Sequence, residues 1–339
     1  YKTMVTRIAV MGATGYTALE LLKLLLRHPE VEIVALTSRQ EHRPHVSEVH
    51  PELRGCLDLH LETLDVEALV EKVDVAFSCL PHAASATCVK PLVDNGVKVV
   101  DFSADYRLND VGVYEKWYGI THPDPERIGK VPYGLPELFR EQIVNASLIA
   151  NPGCYPTSAI LPLAPLVEHG IITLQGIIID SKSGVTGAGR SPKLPFHYPE
   201  CNESIKAYGV GTHRHTPEIR QFLTSAGTEN AEVIFTPHLV PMNRGILSTC
   251  YVHPTNGMTA ADAIDVLQTT YKNEPFIRVT SNPPETRAVR HTNFVDLHVA
   301  QSGDRLVVLS CIDNLIKGAS GAAVQNFNLM CGYEETTAL

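Results

Sequence analysis

The first stretch of the chain constrains its fold more than any other. Residues 6–11, TRIAVM, predict a buried strand, and an apolar helix pattern follows at 19–26. Gly12 and Gly15 stand between them in a Gly-Ala-Thr-Gly turn, and a second strand is predicted at 31–37. A strand, a glycine-rich turn, a helix and a strand within about 30 residues are the local context of a dinucleotide-binding turn. The pattern here is G-x-x-G-x-x-A, a variant of the usual spacing.

Glycines in such a turn let the backbone approach a diphosphate, and the next helix presents free N–H groups. The alternative is a tight turn that binds nothing. The turn and the helix start supply the candidate cofactor-binding residues, which are Gly12, Thr14, Gly15, Tyr16 and Thr17.

The end of the second strand bears on the choice of cofactor. NAD enzymes usually place a carboxylate there to hold the ribose 2′-hydroxyl. This strand ends in Leu-Thr followed by Ser38 and Arg39, which could hold a 2′-phosphate. Arg39 could also be a solvated loop residue. The sequence therefore favours NADP, with Ser38 and Arg39 as further cofactor-binding candidates.

Strand and helix patterns predict an α/β fold with two different halves. Alternation of strands and helices to about residue 150 favours a Rossmann-type, doubly wound parallel sheet. The second half favours an α+β domain with a mixed, largely antiparallel sheet and a helix over 259–272 capped by Thr259. The predicted strands after the first two are 74–79, 98–102, 147–150, 176–183, 232–240, 246–253, 293–300 and 305–312, and a crossover helix is predicted at 83–95.

Length and composition narrow the class of protein. The chain has 339 residues, which suggests about two domains, and a net charge of −9, which argues against a nucleic-acid partner. No apolar run is long enough for a membrane span, and the start shows no secretory leader pattern. Eight widely spaced cysteines indicate reduced thiols and a cytoplasmic protein rather than a disulfide framework.

One cysteine stands in a polar, turn-rich setting. Cys154 follows a glycine turn in residues 151–157, NPGCYPT, and precedes an apolar helix pattern. Such a position favours the thiolate and aims backbone N–H groups at whatever the sulfur attacks. A buried structural cysteine is the alternative. Pro162 and Pro165 lie in the following segment, so we expect that helix to be short or broken.

Histidines and basic residues supply further candidates. His213 and His215 could relay protons to and from a thiol-bound intermediate. They could also be a metal pair, but no third ligand has convincing spacing, so we expect no metal. A second histidine group, at positions 42, 45, 50 and 60, is typical of a polar loop. An anionic substrate needs cationic donors, and those in loops marked by glycine or proline are Arg107, Arg190, Lys193 and Arg244.

Seven segments together carry a family resemblance. They are GATGYTALELLKLL, SADYRL, NPGCYPT, SGVTGAGR, YGVGTHRHTPEI, PHLVPMNRGI and DNLIKGASGAAVQNFNL. In this order, over nearly the whole chain, they resemble the N-acetyl-gamma-glutamyl-phosphate reductases of arginine biosynthesis. That family is similar in fold to aspartate-semialdehyde dehydrogenase and glyceraldehyde-3-phosphate dehydrogenase.

The resemblance implies NADPH-dependent reduction of N-acetyl-L-glutamyl 5-phosphate to the 5-semialdehyde through a cysteine thioester. Cys154 would be the nucleophile, and His213, preferred over His215, would transfer the proton. Asn151 and nearby backbone N–H groups would stabilise the oxyanion. The side chains implied to bind the substrate carboxylate and the leaving phosphate are Arg107, Lys193 and Arg244.

The resemblance also implies that Ser183, Gly184 and Asn314 lie near the cofactor. It implies an NADP-binding domain of residues 1–150 completed by a C-terminal helix at 315–339, and a catalytic domain at 151–314. It further implies a homodimer or homotetramer. Two alternatives stay open, which are a related semialdehyde dehydrogenase of the aspartate type and a catalytically silent NADP-binding regulator.

Overall fold

The structure is a computed structural model that describes residues 5–39 and 42–339. The chain divides into two units. The first comprises residues Tyr1–Pro152 and Ala319–Leu339, and the second comprises Gly153–Gly318. The divisions expected from the family resemblance lie after residue 150 and before residue 315. None of the described helices is long and apolar enough to cross a membrane.

The first unit contains a six-stranded sheet in which every neighbouring pair is parallel. Its order, β3-β2-β1-β4-β5-β6, reverses direction between β1 and β4, as in a doubly wound fold. The strands are β1 Thr6–Met11, β2 Val31–Ser38, β3 Leu61–Thr63, β4 Val75–Ser78, β5 Lys98–Asp101 and β6 Leu148–Ala150. The prediction of this fold is confirmed, although β3, of whose three residues only Leu61 is buried, is not among the predicted strands.

Helices connect these strands. Their bounds are α1 Tyr16–Leu25, α2 Val46–Val49, α3 Val66–Lys72, α4 Ser85–Asp94, α5 Val111–Tyr118 and α6 Pro136–Val144. The predicted helix at 19–26 starts three residues earlier, directly after Gly15. Its apolar face is buried, and the central strands carry fully buried aliphatic side chains, as parallel sheets covered on both faces do.

The second unit contains a seven-stranded sheet in the order β11-β12-β13-β10-β7-β9-β8. Four of its six strand pairs are antiparallel, which confirms the predicted mixed, largely antiparallel sheet. The strands are β7 Ile177–Gly184, β8 Lys206–Ala207, β9 Val233–Val240, β10 Ile246–Val252, β11 Ile277–Val279, β12 Val295–Ser302 and β13 Arg305–Ile312.

Three long helices of the second unit pack on this sheet, and two are single turns. The helices are α7 Cys154–Glu168, α8 Tyr198–Cys201, α9 Thr216–Ala226, α10 Ala260–Thr270 and α11 Thr286–Val289. Thr259 caps α10 as predicted, because its hydroxyl accepts a hydrogen bond from the Asp262 N–H. Short 3₁₀ turns lie at Pro51–Leu53, Pro125–Arg127, Val185–Ala188 and Leu194–Phe196.

The expectation that α7 is short or broken is wrong. The helix runs continuously for 15 residues through Pro162 and Pro165. A proline at 165 leaves the Leu161 carbonyl without its helical donor. The hydroxyl of Tyr271 donates to that carbonyl at 2.6 Å, and thus replaces the missing hydrogen bond. Nearly all of α7 is buried, so packing also favours the helical conformation.

The tail begins differently from a plain helix. Ile316–Ser320 form a π-helical turn, in which the Gly318 N–H donates to the Asp313 carbonyl at 2.9 Å. The helix α12, Gly321–Cys331, follows and packs on α1, α6 and β5. The C-terminal segment therefore returns to the first unit.

Candidate active site

The glycine-rich turn of the first unit is fixed by close backbone contacts. Gly12 has φ = +76°, and a Cβ atom there would lie 2.8 Å from the Cys79 carbonyl oxygen. The N–H groups of Gly12 and Ala13 donate to the Thr37 carbonyl at 3.1 and 2.9 Å. Only glycine fits at position 12, because the turn lies directly against the chain that follows β4.

A cavity of about 500 Å³ adjoins this turn. It lies near the point where the strand order reverses, which is where open α/β sheets bind ligands. Gly15 starts α1 without a side-chain cap, so the first N–H groups of the helix are available to an anion. The lining residues are Gly12, Thr14, Gly15, Thr37, Ser38, Arg39, Leu64, Cys79, Leu80, Pro81, Ala84 and Cys88.

Five of the predicted cofactor-binding residues line this cavity, and two begin the adjoining helix. Tyr16 and Thr17 form the first turn of α1, and the Thr17 hydroxyl bonds the Cys79 thiol. Burial raises the pKa of the Cys88 thiol, while the nearby Arg39 guanidinium opposes that shift. The charge of Arg39 therefore acts at the cavity wall.

Thr37 lines the cavity but is not among the predicted cofactor-binding residues. Its side chain is 2% exposed, and its hydroxyl has no hydrogen-bond partner. A buried hydroxyl without a partner is costly, so a polar ligand in the cavity would satisfy it. Its position beside Ser38, at the carboxyl end of a parallel strand, is the sequence signal that could have identified it as a ligand-binding candidate.

Arg107 and Asn151 lie together inside the first unit. The buried Arg107 guanidinium donates to the carbonyls of Asn151, at 2.8 Å, and Phe102, at 2.7 Å. The side-chain amide of Asn151 donates to the Ala319 carbonyl at 3.0 Å and accepts from Asn326 at 3.1 Å. These contacts favour positioning of the chain just before Cys154. Substrate binding by Arg107 and oxyanion binding by Asn151 stay predictions.

A network of buried acids shapes the loop that carries Arg107. Asp101 accepts hydrogen bonds from the Ser85 and Ser103 hydroxyls, both at 2.7 Å. Asp105 accepts one from the Tyr114 hydroxyl at 2.7 Å. Burial, and next the charge of Asp105, raise the pKa of Asp101 to about 6. The loop geometry thus depends on hydrogen bonds to two neighbouring carboxylates.

Cys154 is the first residue of α7, in the second unit. Gly153 caps the helix without a side chain, and its N–H donates to Glu218 Oε1 at 3.0 Å. A Cβ atom at Gly318 would lie 2.9 Å from the Cβ of Cys154, so the π-helical turn lies directly against the cysteine. The thiol is partly exposed at a helix start, as a nucleophile requires.

Glu218 and Gly318 are not among the predicted site residues. Glu218 is 1% exposed and lies five residues after His213, within one of the segments that carry the family resemblance. Gly318 lies in another such segment. Neither position gives a local signal of its contact with residues 153–154, because those contacts join parts of the chain that are distant in sequence.

The predicted histidines belong to an aromatic cluster beside Cys154. Its members pack edge to face, and they are Tyr155, Tyr208, His213, His215 and Phe235. Burial is the main cause that raises the pKa values of Tyr155 and Tyr208, and a negative charge on Cys154 adds to the rise in both. The two phenol oxygens are 2.9 Å apart.

His213 is neutral in this cluster. Burial, and next the positive charge of Arg214, lower its pKa to about 4. Its Nδ1 accepts a hydrogen bond from the His215 N–H at 3.1 Å, so Nε2 carries the ring proton. His213 can therefore donate a hydrogen bond from Nε2 at neutral pH.

Three other predicted residues of the second unit lie where several loops are joined by hydrogen bonds. The Gly184 N–H donates to the Gly245 carbonyl at 2.9 Å, and the Ser183 hydroxyl donates to the Gly184 carbonyl. Asn314 accepts from the Gly245 N–H at 2.7 Å and donates to the Thr186 hydroxyl at 3.0 Å. Cofactor binding by Ser183, Gly184 and Asn314 stays a prediction.

The predicted substrate cations of this unit differ in their surroundings. Arg244, whose side chain is 9% exposed, pairs with Asp313 at 3.0 Å. Lys193 lies on an exposed loop. Their contact with substrate stays a prediction. Within residues 5–39 and 42–339, no three or more His, Cys, Asp or Glu side chains are grouped to hold a metal ion.

Two family models match the chain. Residues 7–146 match the semialdehyde dehydrogenase NAD binding domain. Residues 154–314 match the semialdehyde dehydrogenase dimerisation domain. Together the two matches correspond to a nicotinamide-cofactor enzyme with a small-molecule substrate.

Relatives and solved structures agree with these matches. N-acetyl-gamma-glutamyl-phosphate reductase from Rhodopirellula baltica is 53% identical, over 98% of each chain. The protein of that name from Citrifermentans bemidjiense is 49% identical, over 98% of this chain and 97% of its own. Aspartate semialdehyde dehydrogenase II from Vibrio cholerae superposes with a TM-score of 0.72 at 16% identity, over 97% of this chain and 99% of its own. Aspartate semialdehyde dehydrogenase from Candida albicans, solved with NADP, superposes with a TM-score of 0.70 at 17% identity, over 96% of this chain and 98% of its own.

Proposed function

Because the chain belongs to the N-acetyl-gamma-glutamyl-phosphate reductase family, we propose that it reduces N-acetyl-L-glutamyl 5-phosphate to N-acetyl-L-glutamate 5-semialdehyde, with NADPH, in arginine biosynthesis. The observation that carries the proposal is 53% identity to a reductase of that name over almost the whole chain. The placement of Cys154 at the uncapped start of α7 supports the chemistry.

Cys154 acts as the nucleophile. Its thiolate attacks the acyl carbon, the carbon–oxygen bond to the phosphate breaks, and inorganic phosphate leaves. The product of this step is a thioester on Cys154. The N–H groups of Cys154 and Tyr155 open α7, and they are the donors that the helix start offers to the developing oxyanion, since Pro156 has no N–H.

NADPH, when bound, supplies the hydride that reduces the thioester. His213 then hydrogen-bonds from Nε2 to the alkoxide of the thiohemiacetal, because its neutral ring carries its proton there. Collapse of the thiohemiacetal breaks the carbon–sulfur bond, releases the semialdehyde and restores the Cys154 thiolate. His215, which packs against His213, is the alternative proton carrier.

The residues around the first-unit cavity fit a nicotinamide dinucleotide phosphate. The uncapped start of α1 suits the diphosphate, and the unpartnered Thr37 hydroxyl suits a ribose hydroxyl. Ser38 and Arg39 line the cavity where an NAD enzyme would place a carboxylate. This donor set supports NADPH over NADH, since it offers a hydroxyl and a cation to a 2′-phosphate.

The proposal extends to a homodimer formed through the second-unit sheet. Strand register places Ile234, Ile178, Tyr251 and Val307 in one row across four strands, on the face that α7, α9 and α10 leave uncovered. Ile234 is 60% exposed and Tyr251 is 37% exposed. An apolar row of this kind supports symmetric association. All eight cysteines are free thiols, which supports a reducing, cytoplasmic location.

The reverse reaction tests the proposed function. The purified protein is mixed with N-acetylglutamate 5-semialdehyde, NADP and inorganic phosphate, and NADPH absorbance is followed. We expect NADPH formation that depends on phosphate, because phosphate must attack the thioester to release the product. Faster turnover of aspartate semialdehyde would instead support the related dehydrogenase. No turnover, in protein that binds NADPH and has a reduced Cys154, would support the silent regulator.

A further inference from the structure

A buried histidine that does not line the cavity contacts the glycine-rich turn from outside. The His50 side chain is 2% exposed, and its Nε2 lies 2.7 Å from the Ala13 carbonyl oxygen. A carbonyl oxygen can only accept a hydrogen bond, so Nε2 carries the proton and donates. The contact joins the turn to the histidine group that the sequence indicated as a polar loop.

The backbone of His50 is held on both sides. His45 caps the short helix α2, and the His50 N–H donates to the Val46 carbonyl at 2.8 Å. The Leu53 N–H donates to the His50 carbonyl at 3.0 Å, and Pro51 begins a 3₁₀ turn between them. The imidazole is therefore presented to the turn from a fixed backbone position.

The contact acts on one particular peptide group. The Ala13 carbonyl and the Thr14 N–H belong to the same planar peptide, and no peptide of the described chain is cis. In a trans peptide the C=O and the N–H point in opposite directions. Holding the Ala13 oxygen toward His50 thus turns the Thr14 N–H to the other side, and Thr14 lines the cavity.

We propose that His50 is a positioning residue that orients the Thr14 N–H toward the diphosphate of the bound cofactor. The inference rests on the proposed NADPH-binding function of this cavity. The Gly12 and Ala13 N–H groups already donate to the Thr37 carbonyl, so their hydrogen bonds hold the turn against β2. The Thr14 peptide is thus the part of the turn whose direction His50 controls.

Cofactor fragments separate this role from general support of the fold. NADPH contains a diphosphate, whereas adenosine 2′-monophosphate keeps the 2′-phosphate but has no 5′-phosphate. We expect His50→Leu to weaken NADPH binding about tenfold, the size of one lost hydrogen bond to a charged group. Binding of adenosine 2′-monophosphate should change less than about twofold. Both dissociation constants are measured by calorimetry on the full chain.

Two further variants sharpen the test. His50→Gln places an amide N–H near the position of Nε2–H, so it should recover most of the NADPH affinity. His60→Leu is the matched control, because His60 also approaches a loop carbonyl, that of Arg43 at 3.1 Å, but is exposed and not in contact with the turn. NADPH affinity should be unchanged in His60→Leu. If His50→Leu does not fold, His50→Asn, whose shorter side chain does not reach the Ala13 oxygen, replaces it with both ligands and the same expected results.

Each contrary result has its own meaning. Equal weakening of both ligands would show that His50 supports the fold only and would overturn the inference. Unchanged NADPH affinity in His50→Leu would overturn it as well. Wild-type protein that binds neither ligand would instead overturn the proposed cofactor function, and this inference with it.

Discussion

Two glycine turns open helices in this chain, and they differ in what surrounds them. The turn at 12–15 is held by the main chain of β2 and by His50, and no side chain caps α1. The turn at Gly153 is held by the Glu218 carboxylate, and its helix begins with a cysteine. A helix start surrounded by backbone groups and a cavity suits an anionic ligand. The same start with a thiol and a buried carboxylate suits covalent chemistry.

The largest expected effect is a loss of activity that leaves cofactor binding intact, because only the turn at Gly153 is changed. Cys154→Ser should lower reductase activity at least about 10⁴-fold, because a hydroxyl at this position is a far weaker nucleophile than a thiolate. NADPH affinity should remain within about twofold, since the cofactor turn is built from other residues. Steady-state rates and NADPH fluorescence titration measure the two quantities.

Cys56→Ser is the control for Cys154→Ser, because Cys56 is an exposed free thiol. It should leave both activity and affinity unchanged. Loss of NADPH binding in Cys154→Ser would mean that the two turns do not function separately.

The next largest effect is expected from a substitution in the turn at 12–15, which should change NADPH affinity only. Gly12→Ala should weaken NADPH binding about 100-fold. The new Cβ would lie 2.8 Å from the Cys79 carbonyl oxygen, and alanine disfavours the positive φ of this position, so the turn has to shift. The rate at which iodoacetamide labels Cys154 should be unchanged. Gly96→Ala is the matched control, since Gly96 also has a positive φ, +85°, but nothing lies within 4 Å of its Cβ position. If both variants bind NADPH equally well, the close approach at Gly12 is irrelevant to the cofactor.

The third effect is expected from substitutions of Glu218, which holds the turn at Gly153. Glu218→Ala leaves the buried Gly153 N–H without its acceptor, so we expect kcat to fall about 30-fold with NADPH affinity unchanged. Glu218→Gln keeps a carbonyl oxygen for that N–H and should stay within about fivefold of wild type. Single-turnover acylation measures both variants. An equal loss in both would show that the charge of Glu218 matters rather than its hydrogen bond.

The sequence predicted those parts of the fold that depend on local pattern. The strands of the first unit were found because continuous apolar runs and a glycine turn lie close together in the chain. The strand β3 gives no apolar run, because only Leu61 of its three residues is buried, whereas all three residues of β6 are buried and apolar. The expectation for α7 was wrong because Tyr271, which satisfies the Leu161 carbonyl, stands 110 residues away.

The same reasoning explains which site residues were found. Cys154, His213 and the glycine turn carry local signals in their neighbours. Glu218 and His50 act through contacts across 65 and 37 residues, and no local pattern reveals such contacts. Residue type alone placed His50 among loop histidines, whereas burial and geometry connect it to the turn.

The smallest effect concerns proton binding in the aromatic cluster. His213 has a pKa of about 4 in the folded protein, well below that of an unfolded histidine near 6.5. Between these values the unfolded chain binds the proton and the folded chain does not, so acid destabilises the fold through this residue. At about pH 5.5 the loss is roughly 1 kcal/mol after allowance for partial exposure of the ring. The free energy of unfolding should therefore fall from pH 7.5 to 5.5 by about 1 kcal/mol less in His213→Gln than in wild type.

Urea unfolding followed by circular dichroism at the two pH values measures this difference. Asp101 acts in the opposite direction, because its raised pKa of about 6 lets the folded state bind a proton before the unfolded state does. Its contribution to stability is present in acid and is lost as the pH rises through about 6. Asp101→Asn should thus make the acid-induced loss larger, and His213→Gln should make it smaller. If both variants changed the acid-induced loss of stability in the same direction, the result would contradict a neutral His213 in the second unit and a proton-binding Asp101 in the first.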